Sequence, residues 1–348
     1  MSNGSRHIEH GTGATEEDEA DFQLVRLDIS GSYANILRNS TLAFMNVFVT
    51  GATGVLGRPV LRMLMDSGHR VRALARNANN ASRLKSTGAD LFRGSLFDLS
   101  SLRNGITGCD AVLHLATRIP PPNQASRRAA WNENDRIRTE GTRNLVTAAL
   151  ESDVSTFIYP SVVFVYPDCG AEWIDASFPP DRSPLLESSL AAETEVEKFT
   201  RAGHRGIVLR MGALYGPTAG DTRYILRMAR YGIAMVFGRA EAYQPLIWVD
   251  DAALAVVDAL SRASAGTYDV VDDEPLPRQE LAKSLADAID RRWLWRPPVF
   301  LFRFLAGKDV MFLTRSQRVS NRKFKGETGW NPTVPSAKVG LRLSAIEP

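Results

Sequence analysis

Asn46-Val47-Phe48-Val49-Thr50-Gly51-Ala52-Thr53-Gly54-Val55-Leu56-Gly57-Arg58-Pro59-Val60-Leu61 decides the fold. Its first five residues are β-branched or aromatic apart from Asn46, the composition of a short strand buried on both faces. After the glycines, Leu56, Val60, Leu61, Leu64 and Met65 fall on one side of a helix that Gly68 ends. Three glycines between a strand and a helix are compatible with nothing more than a tight connection. Here the turn opens an amphipathic helix directly after a strand, so backbone N–H groups and the positive end of the helix dipole converge where a diphosphate would lie. Dinucleotide binding on Gly51, Thr53, Gly54, Val55, Leu56 and Gly57 is the expectation.

Outward from that turn, short apolar runs alternate with segments of helical period. Strands are expected at Val71–Leu74, Asp90–Arg93, Ala111–Leu115, Thr156–Tyr159, Gly206–Arg210 and Thr267–Val271. Helices are expected at Ala129–Leu150, Ser189–Arg201, Thr222–Tyr231, Asp250–Leu260 and Pro277–Ile289. Such alternation predicts an α/β fold with a Rossmann-type doubly wound parallel sheet. The expected organisation is a mobile extension over residues 1–44, a dinucleotide-binding core over 45–215, and a mostly substrate-binding smaller lobe over 216–348 with some segments returning to the core.

The chain has 348 residues, 44% of them hydrophobic and 23% charged, with a formal net charge of +3. That is an ordinary globular balance with little of the basic excess that phosphate-backbone binders carry, so a small-molecule partner is expected and nucleic acid is not. Cys109 and Cys169 are its 2 cysteines, without the spacing of a disulfide framework or a metal site. Residues 1–44 are polar and contain Glu16-Glu17-Asp18-Glu19, unlike an export signal. The apolar stretch Pro297 to Ala306 carries Arg303 and is shorter than the ~20 residues a bilayer requires. A cytoplasmic monomer or homodimer, away from membranes, is expected.

Cofactor choice rests on the end of strand two. NAD-specific sites place an acidic residue roughly 20 residues beyond the glycines to hold the ribose hydroxyls. This chain has Ala75 and then Arg76 there. A neutral residue removes the repulsion, and a guanidinium grips a 2′-phosphate in two charge-assisted hydrogen bonds, so NADPH is expected over NADH. A plain solvated charge is the competing reading of Arg76, and Arg58 and Arg72 are further candidates for that phosphate.

Further ordered motifs carry a resemblance: Gly94-Ser95-Leu96-Phe97-Asp98, Asp110-Ala111-Val112-Leu113-His114-Leu115-Ala116, Gly141-Thr142-Arg143-Asn144-Leu145, Leu209-Arg210-Met211-Gly212-Ala213-Leu214-Tyr215-Gly216-Pro217, Trp248-Val249-Asp250-Asp251-Ala252 and Thr328-Gly329-Trp330-Asn331-Pro332. With the glycine turn, they resemble the extended, epimerase-like branch of the short-chain dehydrogenase/reductase superfamily from about Met45 to about Pro332. The resemblance implies that Ser95 and Leu96 approach the adenine, that Leu115, Ala116 and Thr117 pass the cofactor, and that Ser161 and Met211 lie near it.

The resemblance also exposes departures. That family works with a Ser or Thr after strand five and a Tyr-x-x-x-Lys pair, the Lys lowering the Tyr pKa so that it can shuttle a proton. The corresponding positions here are Val162, Leu185 and Ser189, and a usual Asn is Arg138. Leucine donates no proton. An extended member lacking this tyrosine resembles the ketoreductases of aromatic polyketide antibiotic pathways, those acting on angucyclinones among them, and implies reduction of a polycyclic aromatic ketone. Ser161, Tyr166, a water or the substrate's own phenol remain as proton donors, with packing as the competing role of Tyr166. Two other readings stay open: a redox sensor that binds NADP(H) without turnover, and a sugar-nucleotide epimerase or dehydratase, which needs the missing tyrosine most. His114 is expected to be a buried structural histidine and Arg118 a loop charge. Trp248, Phe300, Phe302, Phe304, Met311 and Phe312 are candidates to line a substrate pocket, or ordinary core.

Overall fold

Seven strands pair in parallel in the order β3-β2-β1-β4-β5-β6-β7. They are β1 (Asn46–Thr50), β2 (Arg70–Ala75), β3 (Asp90–Arg93), β4 (Ala111–His114), β5 (Thr156–Val162), β6 (Arg205–Met211) and β7 (Gly266–Val270). The computed structural model describes residues 44–121, 124–125, 127–300 and 311–346. The expected extension, apart from residue 44, and Arg303, Phe302 and Phe304 lie outside the described residues. Strand order reverses between β1 and β4, and a crevice for a ligand opens beyond the carboxyl ends of strands at such a reversal.

Helices cover both faces. On one lie α3 (Leu99–Ile106), α4 and α5 (Glu187–Arg201). The core beneath them takes alternate residues of each strand, Phe48, Val112, Phe157 and Tyr159, against Leu102, Ile106, Leu145 and Phe199. The other face carries α1 (Gly57–Asp66) packed on α7 (Val249–Arg262). Between these come α2 (Ala78–Leu84) and α6 (Gly220–Arg230), and the chain closes with α8 (Arg278–Asp287), α9 (Arg322–Thr328) and α10 (Ala337–Ile346).

The helix expected over Ala129–Leu150 is not uniform. α4 begins as Asn132–Arg136, widens into a π-helical turn over Ile137–Gly141, and resumes as Thr142–Glu151. A π turn inserts one residue and swings its side chains out of helical phase; it turns Arg138 inward, where it is 4% exposed.

Two late motifs are tied together at the back of α7. The Asp251 carboxylate accepts from Thr333 N and Oγ1 and from Val334 N at 2.8, 2.8 and 2.9 Å, and the Trp330 indole donates to the Asp251 carbonyl at 3.1 Å. Trp248-to-Ala252 and Thr328-to-Pro332 thus serve one structural joint. Trp248 is buried edge-on to Tyr215, and Phe312 is packed with Val165, Leu185 and Leu186. Both are core, while Phe300 is 73% exposed.

Candidate functional site at the carboxyl edge of the sheet

The glycine turn is built by close approach. Gly51 adopts φ +74, and a Cβ on it would lie 2.5 Å from the Ala116 nitrogen and the Leu115 carbonyl carbon. A Cβ on Gly57 would lie 2.1 Å from Gly51 O. These two glycines let strand, helix and the segment after β4 pack together. Gly54 is different: it is exposed, and its Cβ would meet only Gly51 O, at 3.1 Å. Its outer side is open for a ligand. α1 begins at the Leu56 N-cap without a side-chain hydrogen bond, and among the described residues no acceptor meets the N–H of Val55 or Leu56. Orphan donors at the positive end of a ten-residue helix fit a dinucleotide diphosphate.

Around the turn, Leu115 N donates to Thr50 O at 3.1 Å, which holds Leu115, Ala116 and Thr117 against it. Ser95 Oγ accepts from Phe97 N at 3.2 Å, and the Leu96 carbonyl from Asn144 Nδ2 at 3.0 Å. Met211 pairs in register with Val162 at the carboxyl ends of β6 and β5.

Arg76 Nη1 lies 2.8 Å from Glu133 Oε1, both about half exposed, and Arg118 Nε lies 3.6 Å from the same carboxylate. The Arg76–Glu133 pair joins the end of β2 to the first turn of α4. Arg72 does not join them. Its Nε pairs with Asp90 at 3.1 Å and Nη1 donates to the Gly105 and Thr107 carbonyls at 2.8 and 3.0 Å, so it fastens β2 to β3 and α3. Arg58 is exposed, its Nε 3.4 Å from Gly54 O.

The two proton donors expected from sequence lie in one buried chain of hydrogen bonds. Ser161, Arg210 and Asp269 stand side by side across β5, β6 and β7. Ser161 Oγ donates to Glu193 Oε1 at 2.5 Å, Arg210 grips Glu193 through Nε and Nη2 at 3.2 and 2.8 Å, and Arg210 Nη1 donates to the Tyr166 oxygen at 3.0 Å. Tyr166 in turn donates to Asp269 Oδ1 at 2.7 Å. Tyr166 is fully buried, and burial, with Asp269 beside it, drives its pKa far above the ordinary phenol value. Tyr166 and Ser161, the latter 2% exposed, are both engaged inside this chain of hydrogen bonds, which favours a structural role over the proton donation expected from sequence.

Where the family tyrosine and lysine stand, Leu185 is 2% exposed within an apolar cluster, and Ser189 is fully buried. Ser189 Oγ accepts from Arg138 Nη1 at 2.6 Å. Thr50 and His114 sit side by side in register, Thr50 Oγ1 2.8 Å from His114 Nδ1, and the His114 ring lies 5.8 Å from that of Tyr159. Burial holds His114 down at about 4 and pushes Tyr159 up to about 12, with the Arg138 charge acting on both. His114 is neutral near pH 7 and offers no acid. Sequence reasoning missed the assembly of Glu193, Arg210 and Asp269; strand alternation alone could have found the last two, since each shares a face with Ser161.

The chain matches the description "NAD dependent epimerase/dehydratase family" over residues 47–271. Among curated proteins, it is 30% identical over 320 residues to a 3-diazoavenalumate denitrifying reductase of a Streptomyces species, covering 85% of this chain and 99% of that one. A 4-hydroxy-2-methyl-3-oxo-4-farnesyl-3,4-dihydroquinoline-1-oxide ketoreductase of Stigmatella aurantiaca is 30% identical over 185 residues, 52% of this chain and 53% of that protein. Among solved structures, a human epimerase family protein crystallised with NADPH superimposes with a TM-score of 0.72 at 22% identity, over 86% of this chain and 99% of that one.

Proposed function

The chain belongs to the NAD dependent epimerase/dehydratase family and is an NAD(P)-dependent oxidoreductase acting on a small molecule; from that premise we propose that it is an NADPH-dependent ketoreductase of polycyclic aromatic ketones of the polyketide type, working without an enzymic tyrosine. The observations that carry this reading are the unpaired N–H groups of the glycine turn at the start of α1 and an apolar residue at the family's tyrosine position, Leu185, packed among Val165, Leu186 and Phe312. When bound, the cofactor supplies a hydride. The free N–H groups of Val55 and Leu56 would hold the diphosphate, Arg76 would meet the 2′-phosphate, and Leu115, Ala116 and Thr117 would pass the cofactor. Val162 and Leu185 exclude water and donate nothing. A fitting acceptor carries its own hydrogen bond to the reacting oxygen, as a ketone with a neighbouring phenol does, and positioning then supplies much of the rate.

A second acceptor is favoured by the Streptomyces relative, whose name describes loss of nitrogen from a diazo compound. Hydride addition to an aryl diazonium carbon releases dinitrogen and leaves a C–H bond, with no proton required. The same absent tyrosine suits that reaction.

Purified protein is to be mixed with NADPH and either a hydroxyl-bearing tetracyclic ketone, its methyl ether, or an ortho-diazophenol, following loss of reduced-nicotinamide absorbance. Oxidation with the hydroxylated ketone and slower oxidation with its ether are expected. Tight NADPH binding with no oxidation by any acceptor overturns the reductase reading in favour of a sensor, and turnover confined to the diazophenol replaces the ketone.

A further inference from the structure

Two guanidiniums are buried near the carboxyl edge of the sheet, and they are treated differently. Arg210, 6% exposed, is neutralised by a two-pronged ion pair with Glu193. Arg138, 4% exposed, has no carboxylate within ion-pair distance among the described residues. Among the described residues its Nη1 reaches the neutral Ser189 hydroxyl, at 2.6 Å, and its Nε meets no acceptor. The neighbouring Tyr159 hydroxyl and the Asn134 Nδ2, one turn earlier on α4, are also buried without partners among those residues. A buried cation beside unsatisfied polar groups lacks an anionic partner, because taking a charge out of water is costly unless an opposite charge meets it. A neutral ribose hydroxyl would not supply that charge.

We propose that Arg138 is a binding site for an anionic oxygen, and that in turnover the oxygen belongs to the substrate. The proposal rests on the ketoreductase reading and deepens it. The hydride, with its electron pair, leaves the reduced nicotinamide and bonds to the carbonyl carbon; the C=O π pair moves onto oxygen; and Arg138 holds the resulting alkoxide until water or the substrate's phenol returns a proton. The π turn of α4 thus brings a fixed positive charge to Ser189, the position where the family lysine is missing. In a dry site such a charge-assisted hydrogen bond is stronger than in water.

The test uses 4-nitrophenolate and its uncharged methyl ether as probes, bound to the full chain without substrate, at a pH where the phenol is ionised. Wild type is expected to hold the phenolate about tenfold or more tighter than the ether, and Arg138→Met and Arg138→Gln are expected to abolish that preference while Ser189→Ala keeps it. Gln retains a donor for Ser189 and serves if the Met variant does not fold, folding being read by circular dichroism. Equal affinities in wild type, or a preference that survives both Arg138 variants, overturns the proposal. So does a fall in NADPH affinity in these variants with the preference unchanged, which assigns the guanidinium to the cofactor ribose. Because no turnover enters this readout, a phenolate preference in a protein that reduces nothing leaves the anion site standing and removes only the ketoreductase reading.

Discussion

Tyr166 and Asp269 meet at 2.7 Å in the interior, phenol donating to carboxylate, although 103 residues separate them. The bond joins the loop after β5 to the outermost strand, β7, and Arg210 braces it from between. Replacing Tyr166 with Phe leaves Asp269 and Arg210 short of a polar partner in a dry setting, and should cost about 1–3 kcal/mol of stability. Hydride transfer should change by less than about threefold, since no proton passes through this phenol in the proposed reaction. Urea unfolding and steady-state kinetics on the same variant separate the two effects. A loss of turnover with stability intact would return Tyr166 to the role of donor.

Asp269 and His114 give opposite pH signatures. Burial raises the Asp269 carboxyl to about 7, against the opposing pull of Tyr166 and Arg210. Between pH about 4 and about 7 the folded chain therefore keeps a proton that the unfolded chain has released, and stability falls as pH rises across that window. His114, held down at about 4, is one proton short in the folded state between about 4 and 6.5, so its contribution is lost as pH falls. Relative to wild type, Asp269→Asn should gain stability as pH rises from 4 to 7, and His114→Gln should gain it as pH falls from 6.5 to 4. Urea midpoints taken across pH 4 to 7 would expose either sign as wrong.

The glycine turn separates folding from binding. An alanine Cβ at residue 57 would lie 2.1 Å from Gly51 O, so Gly57→Ala should disrupt the junction of β1 and α1 and lower thermal stability. At residue 54 the Cβ would meet only Gly51 O, at 3.1 Å, and faces outward. Gly54→Ala should fold but lose about tenfold in dinucleotide affinity, the added methyl keeping the diphosphate from the N–H groups. Calorimetric NADPH titration beside a thermal melt would decide it. Undiminished affinity in the Gly54 variant would argue against this turn as the cradle.

The parts legible in sequence were those set by local pattern. β1, the glycine turn and α1 are written in consecutive residues, and all seven strands of the sheet coincide with apolar runs bounded by turn residues. The positions left empty by the family tyrosine and lysine could be counted from motifs. What fills the space between them could not, because no spacing rule places a π turn at Ile137–Gly141 or sends Arg138 to Ser189. Tyr166 misled for a related reason. Its nearness to the end of β5 suggested an edge position, whereas the strand continues to Val162 and a short helical turn, Val163–Val165, folds the ring under the sheet. Long-range ion pairs were also invisible: Arg76 and Glu133 are 57 residues apart.

That last pair bears on cofactor choice. Glu133 holds Arg76 at 2.8 Å and faces Arg118 at 3.6 Å, so a 2′-phosphate bound at Arg76, as proposed, would compete with that carboxylate. Half-exposed pairs of this kind contribute about 0.2–1 kcal/mol, whereas a phosphate brings more charge and a second acceptor to the same fork. NADPH should therefore displace Glu133 from Arg76. Removing the competitor by Glu133→Gln should tighten NADPH by up to about fivefold, the factor that about 1 kcal/mol allows, and leave NADH nearly unchanged. Arg76→Ala should weaken NADPH by about tenfold and spare NADH. Titrations with both dinucleotides on the parent and the two variants complete the comparison. If the Gln variant tightened NADH as much as NADPH, Glu133 would be acting on the part the two cofactors share, and the preference for the phosphate would have to come from somewhere other than Arg76.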